Sequence, residues 1–152
     1  MSPSGDRSRG CIFCDIISGQ TPAEIVFENS AIISILDHRP LIPGHCLVLT
    51  KIHYETLLDV PPDSLAAYFE VVQKIGRAFE SGLGTDGSFT AINTRVSQSV
   101  PHVHVHVVPR RNKDGLFARG MVWKRQPYPD EAAMHAMGDL IRRALASCIS
   151  PG

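Results

Sequence analysis

The stretch His102-Val103-His104-Val105-His106-Val107-Val108 alternates imidazole and apolar side chains. In a β-strand, alternate side chains share one face at a spacing of about 6–7 Å, so the histidines would form a row and the valines would enter a core. Such a row places several nitrogens that titrate near neutral pH on one surface. A neutral imidazole can attack phosphorus as a nucleophile. Alternate histidines can also bind zinc, which is the competing interpretation.

The segments around this stretch predict one mixed domain of helices and strands. Short β-rich runs cover residues 25–28, 31–36, 46–49, 88–93 and 103–109. The first three are joined by connections too short for a helical crossover, which favours antiparallel pairing. A helical turn follows Cys11, and two longer amphipathic helices are predicted, one capped by Asp63 or Ser64 and running to about Gly82, the other over 130–147.

This pattern predicts an α+β fold, with an antiparallel sheet of about five strands and two main helices. Residues 1–10 are expected to be a disordered lead-in, and residues 11–148 a single domain. No apolar stretch approaches the roughly 20 residues that span a bilayer. The N-terminus lacks the apolar region of a secretory signal, so we expect a cytoplasmic protein that contacts no membrane.

The charge balance excludes one class of function. The 152 residues include 15 Lys plus Arg and 15 Asp plus Glu, a formal net charge of zero. A neutral chain is poorly suited to holding duplex nucleic acid through phosphate charge. Cationic residues nevertheless crowd one stretch, either as a solvated loop or as a surface facing polyphosphate or single-stranded RNA; they are Arg110, Arg111, Lys113, Arg119, Lys124 and Arg125.

The stretch His102–Val108, called the triad stretch below, resembles the His-x-His-x-His-x-x pattern, with apolar x, of the histidine triad (HIT) family. Other segments occur in the order that this family shows: Cys11-Ile12-Phe13-Cys14, Ile35-Leu36-Asp37, Pro43-Gly44-His45, Lys51-Ile52-His53, Asn93 and Gln98-Ser99-Val100. The resemblance covers residues 11–148. It is greatest to the small purine-nucleotide-binding branch with bacterial members.

The resemblance implies a two-step transfer at the α-phosphorus of a nucleoside phosphoramidate or dinucleoside polyphosphate. His104 would form a nucleotidyl-imidazole intermediate and expel an amine, phosphate or nucleotide. Water would then release a nucleoside monophosphate. By the same resemblance His106 contacts phosphate oxygens, Ser99 assists the leaving group and Asn93 lies near the phosphate.

The purine-nucleotide pocket is also implied by the resemblance. Asp37 would accept both ribose hydroxyls, as a carboxylate can. The other nucleotide-binding positions are Phe13, Ile16, Ile35, His38 and Gln98. Core packing is an equally good interpretation of Phe13 and Ile16.

One segment departs from the family pattern. Residues 94–97 form a shorter connection than is usual, and Ser97 stands where the family has glycine before Gln98. Pro101 also stiffens the approach to the triad. Both changes fall on the leaving-group side, so they leave open the role of Ser99 and the preferred substrate.

Cys11, Cys14, His53 and His102 match a zinc-binding subset of the family. Two thiolates and two imidazoles would complete a tetrahedral site, which makes the Zn²⁺ structural and leaves the chemistry without a metal requirement. The alternative is a pair of reduced, partly buried cysteines. His45 is assigned to support or core packing, and Cys46 and Cys148 to buried apolar positions.

Two other functions remain open at this stage. The chain could be a nucleotide- or partner-binding module with negligible turnover, or a zinc hydrolase centred on the triad. The resemblance further implies a twofold homodimer in which the sheet extends across both subunits and an edge strand is covered. The stretch 121–123 could reach the site of the partner.

Overall fold

The computed structural model of the protein describes residues 9–120 and 123–147. Most of the predicted lead-in, together with Met121, Val122 and Cys148, lies outside these ranges. The elements in chain order are α1 (Ile12–Ile17), β1 (Ile25–Glu28), β2 (Ile32–Leu36), β3 (Cys46–Thr50), a short 3-10 helix (Leu57–Asp59), α2 (Pro62–Leu83), β4 (Gly87–Ala91), β5 (His104–Arg110) and α3 (Glu131–Ser147).

The five strands form one antiparallel sheet in the order β1-β2-β3-β5-β4. The predicted fold class, with two main helices on such a sheet, is therefore confirmed. Strand β5 lies between two neighbours: Leu47 of β3 is opposite His106, and Ala91 of β4 is opposite the same residue from the other side. His106 is therefore paired along both edges of β5, and His104 is paired with Leu49 of β3, so both histidines stand on a fixed backbone.

One face of the sheet carries the main core. The valines of the triad stretch are buried there with the apolar residues of α2 and α3, as their alternation predicted; they are Val103, Val105 and Val107. The hydroxyl of Tyr68 on α2 donates a hydrogen bond to the carbonyl of Val48, with 2.8 Å between the oxygens. This contact attaches α2 to the middle of the sheet.

The other face carries a smaller apolar cluster beneath α1. Phe13 and Ile16 pack there against side chains of β2 and β3, including Ile35 and Leu47. Since α1 has only six residues, it covers part of this face and leaves a cleft beside it, onto which His104 and His106 face.

Two details differ from the sequence prediction. Helix α2 begins at Pro62 with Pro61 at the N-cap, so the prediction that Asp63 or Ser64 caps it is wrong. Proline has the φ angle that the first helical turn requires and no N–H to be satisfied, so it can begin a helix without a side-chain cap. Strand β5 begins at His104, which places His102 in the bend before the strand.

Across residues 9–120 and 123–147, no helix combines the length and apolar character needed to cross a bilayer.

Candidate nucleotide and metal sites

A cleft of roughly 380 Å³ lies between α1, the end of β2 and β5. It brings together eight of the residues predicted to act on a nucleotide: Phe13, Ile16, Ile35, Asp37, His38, Ser99, His104 and His106. Residues from α1 and from β5 are far apart in the chain, so this convergence is a property of the fold. The cleft combines an apolar wall, one carboxylate and three imidazoles, a set suited to a phosphorylated nucleoside.

The hydrogen bond of His104 fixes its tautomer. The Nδ1 atom lies 2.7 Å from the carbonyl oxygen of His102, and a carbonyl only accepts, so Nδ1 carries the proton. The lone pair of the neutral ring is then on Nε2. Burial lowers the pKa of His104 from its ordinary value, which keeps the ring neutral at neutral pH. The Phe13 ring packs edge-on against it, with 5.1 Å between centroids.

A second chain of hydrogen bonds fixes the protons of His45 and His106. The backbone N–H of Leu41 donates to Nδ1 of His45 over 3.1 Å, so Nε2 of His45 carries the proton. That Nε2–H donates to Nδ1 of His106 over 3.0 Å, which leaves the remaining proton of His106 on its Nε2. Burial lowers the pKa of both rings to about 4. His106 is therefore a neutral hydrogen-bond donor, and His45 supports it from a fully buried position.

The carboxylate of Asp37 is held by two donors. Its Oδ1 accepts the backbone N–H of Arg39 at 2.9 Å, and its Oδ2 accepts Nη1 of Arg125 at 3.0 Å. Sequence reasoning placed Asp37 in the site but missed Arg125, which is 88 positions away. The only signal in the sequence was that Arg125 belongs to the cationic stretch at 110–125.

The loop before the triad stretch is bonded to itself. Asn93 is exposed, and its Nδ2 donates to the carbonyl of Ser97 over 3.1 Å. The amide of Gln98 donates to the carbonyls of Glu55 and Val100 and accepts the N–H of Arg95. Neither Asn93 nor Gln98 is among the described residues that line the cleft, whereas Ser99 is.

The backbone at Ser97, where the sequence departs from the family pattern, is in a conformation that favours glycine. Ser97 has a φ of 61°, in the left-handed region that favours glycine. The glycine expected from the family resemblance would adopt this conformation more readily than serine. The loop therefore holds Ser97 in a backbone conformation that costs more for serine than for glycine.

The metal-ligand candidates meet beside the cleft. The Sγ of Cys14 lies 3.2 Å from Nδ1 of His53, and the Sγ of Cys11 lies 3.5 Å from Nδ1 of His102. One ligand atom from each of the four residues lies within 4.8 Å of all the others. Nε2 of His102 lies 2.8 Å from the carbonyl of Thr50 and carries the proton, so the lone pair is on Nδ1, facing the thiols. These donors fit a tetrahedral Zn²⁺.

The predicted row of three imidazoles is thus split: His102 pairs with His53, while His104 and His106 pair with each other. His102 stacks edge-on with His53, with 4.8 Å between centroids, and His104 does so with His106 at 5.0 Å. The division arises because His102 precedes the strand, where the N–H of Val103 bonds to Tyr54 instead of to a neighbouring strand.

A family model described as "HIT domain" matches residues 18–113 of this chain. This chain belongs to the HIT family. An uncharacterized HIT-like protein of Mycobacterium tuberculosis is 42% identical to it over 139 residues, covering 90% of this chain and 93% of that protein. An adenylylsulfatase of Arabidopsis thaliana is 33% identical over 146 residues, covering 95% of this chain and 74% of that one.

Solved HIT structures share the fold. A Zn-bound histidine triad family protein from Mycobacterium smegmatis superposes on this HIT protein with a TM-score of 0.79 and 41% identity. The match covers 93% of this chain and 96% of that one. The resemblance indicated by the triad stretch is therefore confirmed, with bacterial relatives and one relative that holds zinc.

Proposed function

We propose that this HIT protein is a purine-nucleotide hydrolase or transferase. It cleaves at the α-phosphorus of nucleoside phosphoramidates or dinucleoside polyphosphates and releases a nucleoside monophosphate. The observation that carries the proposal is the tautomer of His104, which places an unprotonated Nε2 on the ring at the cleft. The relationship to an adenylylsulfatase supports chemistry on adenylyl groups.

In the first step, the Nε2 lone pair of His104 forms a bond to the α-phosphorus as the bond to the leaving group breaks. The Nε2–H of His106 donates to a non-bridging oxygen, where negative charge develops. Ser99 is the proposed hydroxyl that hydrogen-bonds to the leaving group, which takes up a proton from solvent as it departs. The proposed position of Asn93 near the phosphate and the proposed nucleotide contact of Gln98 require the 93–98 loop to move toward the substrate.

In the second step, water attacks the phosphorus of the nucleotidyl-His104 intermediate. The phosphorus–nitrogen bond breaks, the lone pair returns to Nε2, and the proton from water passes to solvent or to the product phosphate. Splitting the reaction in this way replaces one slow displacement by two faster ones.

The apolar wall of the cleft is the proposed purine pocket. Phe13 and Ile16 from α1 face Ile35 from β2 across it, and His38 lies at its rim. Asp37 is the proposed ligand of the ribose hydroxyls, because two lone-pair positions on its oxygens remain after the bonds from Arg39 and Arg125.

Zinc is proposed as a structural ion held by Cys11, Cys14, His53 and His102. Four protein ligands complete its coordination and leave no place for a reacting water. Bound there, it would tie α1 to the rest of the domain. Thiolate ligands persist in a reducing compartment, which supports the proposed cytoplasmic location.

A homodimer is proposed in which the sheet continues from one subunit into the next through β4. This strand ends the sheet, and unpaired strand edges are commonly covered by a partner. Phe89 on β4 packs with Phe117, which is 56% exposed, and with Trp123, which is 47% exposed, and a partner would cover both. Sedimentation at micromolar concentration tests this, and a monomer mass would contradict it.

The decisive experiment compares the parent protein with His104→Ala on an adenosine phosphoramidate. The parent should release AMP and, when quenched in acid-free denaturant, show an adenylyl adduct on the peptide that contains His104. The variant should bind AMP with little change and release none. His135→Ala is the matched control, since this exposed histidine lies away from the cleft and should leave the rate unchanged.

Three outcomes distinguish the candidate functions. Binding of AMP without turnover by the parent would show a binding module. Turnover that disappears on chelation while AMP still binds would favour a metal hydrolase. Turnover that survives His104→Ala would contradict the proposed nucleophile.

A further inference from the structure

Arg125 makes two contacts at the ribose side of the cleft. Its Nη1 donates to Oδ2 of Asp37 at 3.0 Å and to the carbonyl oxygen of Arg39 at 2.8 Å. Arg125 also lines the cleft together with His104 and His106. One guanidinium nitrogen therefore bridges both ends of the short segment that carries the proposed ribose ligand.

The backbone around Arg125 is held by bonds that do not involve Asp37. The N–H of Gln126 donates to the carbonyl of Pro40 over 2.7 Å. The indole N–H of Trp123 donates to the carbonyl of Leu116 over 2.7 Å. The hydroxyl of Tyr128 accepts the N–H of Gly44 over 2.8 Å. Arg125 is thus presented to Asp37 by an independently anchored segment, and its side chain can be changed without releasing that segment.

The two bonds on Asp37 orient its carboxylate. A carboxylate offers about four lone-pair positions, two on each oxygen. The N–H of Arg39 takes one on Oδ1 and Arg125 takes one on Oδ2. One position is left on each oxygen, which matches two neighbouring hydroxyls on one sugar. Removing the Oδ2 donor would let the carboxylate turn about its last bond and lose this arrangement.

We propose that Arg125 is the positioning residue that makes this site selective for ribonucleotides, acting through Asp37. The inference rests on the proposed function, because it takes Asp37 as the ribose ligand. Arg125 holds the carboxylate in the orientation that receives the 2′ and 3′ hydroxyls, so its contribution to binding depends on those hydroxyls. A residue that bound the phosphate instead would contribute equally to ribonucleotides and dideoxynucleotides.

Calorimetric binding of AMP and of 2′,3′-dideoxy-AMP to the full chain tests this directly. Arg125→Gln should weaken AMP binding about tenfold, the effect of losing one charge-assisted orienting bond, while dideoxy-AMP changes by less than about twofold. Arg125→Lys should recover part of the AMP affinity, since lysine restores the charge but not the planar guanidinium. Lys124→Gln is the matched control on the neighbouring exposed residue and should change neither affinity.

A double-mutant cycle adds a second readout. In an Asp37→Asn background, Arg125→Gln should have no further effect on AMP binding, because the two residues act as one unit. Retained binding of dideoxy-AMP shows that the variant has kept its pocket, so misfolding cannot imitate the expected result.

Other outcomes overturn the inference. Equal losses for AMP and dideoxy-AMP would make Arg125 a phosphate or base contact. Tighter AMP binding by Arg125→Gln would make it a competitor of the ribose for Asp37. Failure of the parent protein to bind either nucleotide would remove the proposed function itself, and this inference with it.

Discussion

Removing zinc should detach α1 while leaving the main core intact. This helix carries two of the four candidate ligands, Cys11 at its N-cap and Cys14 within it. It also carries Phe13, which forms the cleft wall against His104. The main core is a separate cluster formed by the sheet with α2 and α3. The perturbation is either exhaustive chelation or the substitution Cys14→Ser.

The sizes of the opposing terms explain why the proposed zinc would decide whether α1 stays docked. Burying the side chains of Phe13 and Ile16 contributes about 3–6 kcal/mol together. Ordering the six helical residues costs about 6 kcal/mol or more in backbone entropy, and a helix of this length gains little by itself. The entropy cost therefore equals or exceeds the gain from burial. Since a structural zinc site contributes on the order of 10 kcal/mol, its loss moves the balance to the undocked state.

Hydrogen exchange measured by mass spectrometry tests this on peptides covering residues 11–20 and 68–80. The first contains the helical bonds from Asp15 N–H to Cys11 and from Ser18 N–H to Cys14. Its protection should fall at least about tenfold without zinc, while the second peptide from α2 keeps its protection. Cys46→Ala is the control, because this buried cysteine lies outside the metal-ligand cluster and the variant should retain one zinc per chain.

Unchanged protection of residues 11–20 after complete zinc removal would refute this reasoning. Equal loss of protection in both peptides would refute it too, since the two clusters would then unfold as one. When α1 detaches as expected, AMP affinity should fall in parallel, because Phe13 leaves the cleft.

Three further results are expected. Burial lowers the pKa of His106 to about 4, so this ring is neutral from pH 6 to 8. The kcat/KM of the zinc-loaded protein should therefore not fall as pH rises through 6.5. A decline centred at pH 6.5 would mean that His106 acts as a cation. Gly82→Ala should destabilise the fold by about 1–3 kcal/mol in urea unfolding, because a Cβ there would lie 2.6 Å from Cβ of Ala144 on α3. Gly76→Ala, in the same helix with only an ordinary contact at 3.5 Å, should instead stabilise it by about 0.5–1 kcal/mol; equal effects of both changes would contradict the packing argument.

The two failed details of the sequence prediction have different causes. The N-cap of α2 follows from the local geometry of Pro61 and Pro62, whereas the start of β5 depends on which backbone groups find partners elsewhere in the fold. Val103 donates to Tyr54 and so leaves the sheet ladder, which local alternation cannot reveal. The exposed position of Asn93 similarly follows from where β4 ends, at Ala91.

The sequence by itself determined the strand with two unlike faces, the fold class and the family. These follow from periodicity and from the order of short motifs, both of which are local properties of a chain. Through the resemblance, it also gave a consistent metal-ligand set, with Cys11, Cys14, His53 and His102 brought together as expected.

Only the tertiary structure decided which protons the histidines carry and what orients Asp37. The proton on His104 follows from a carbonyl, and that on His106 from His45, which is 61 positions away. The contact from Arg125 joins segments separated by 88 positions. The contacts from His45 and Arg125 depend on strand order and loop paths, and composition and spacing carry no record of them. The triad stretch therefore predicts where the proposed chemistry takes place, while the folded surroundings set the state of each nitrogen.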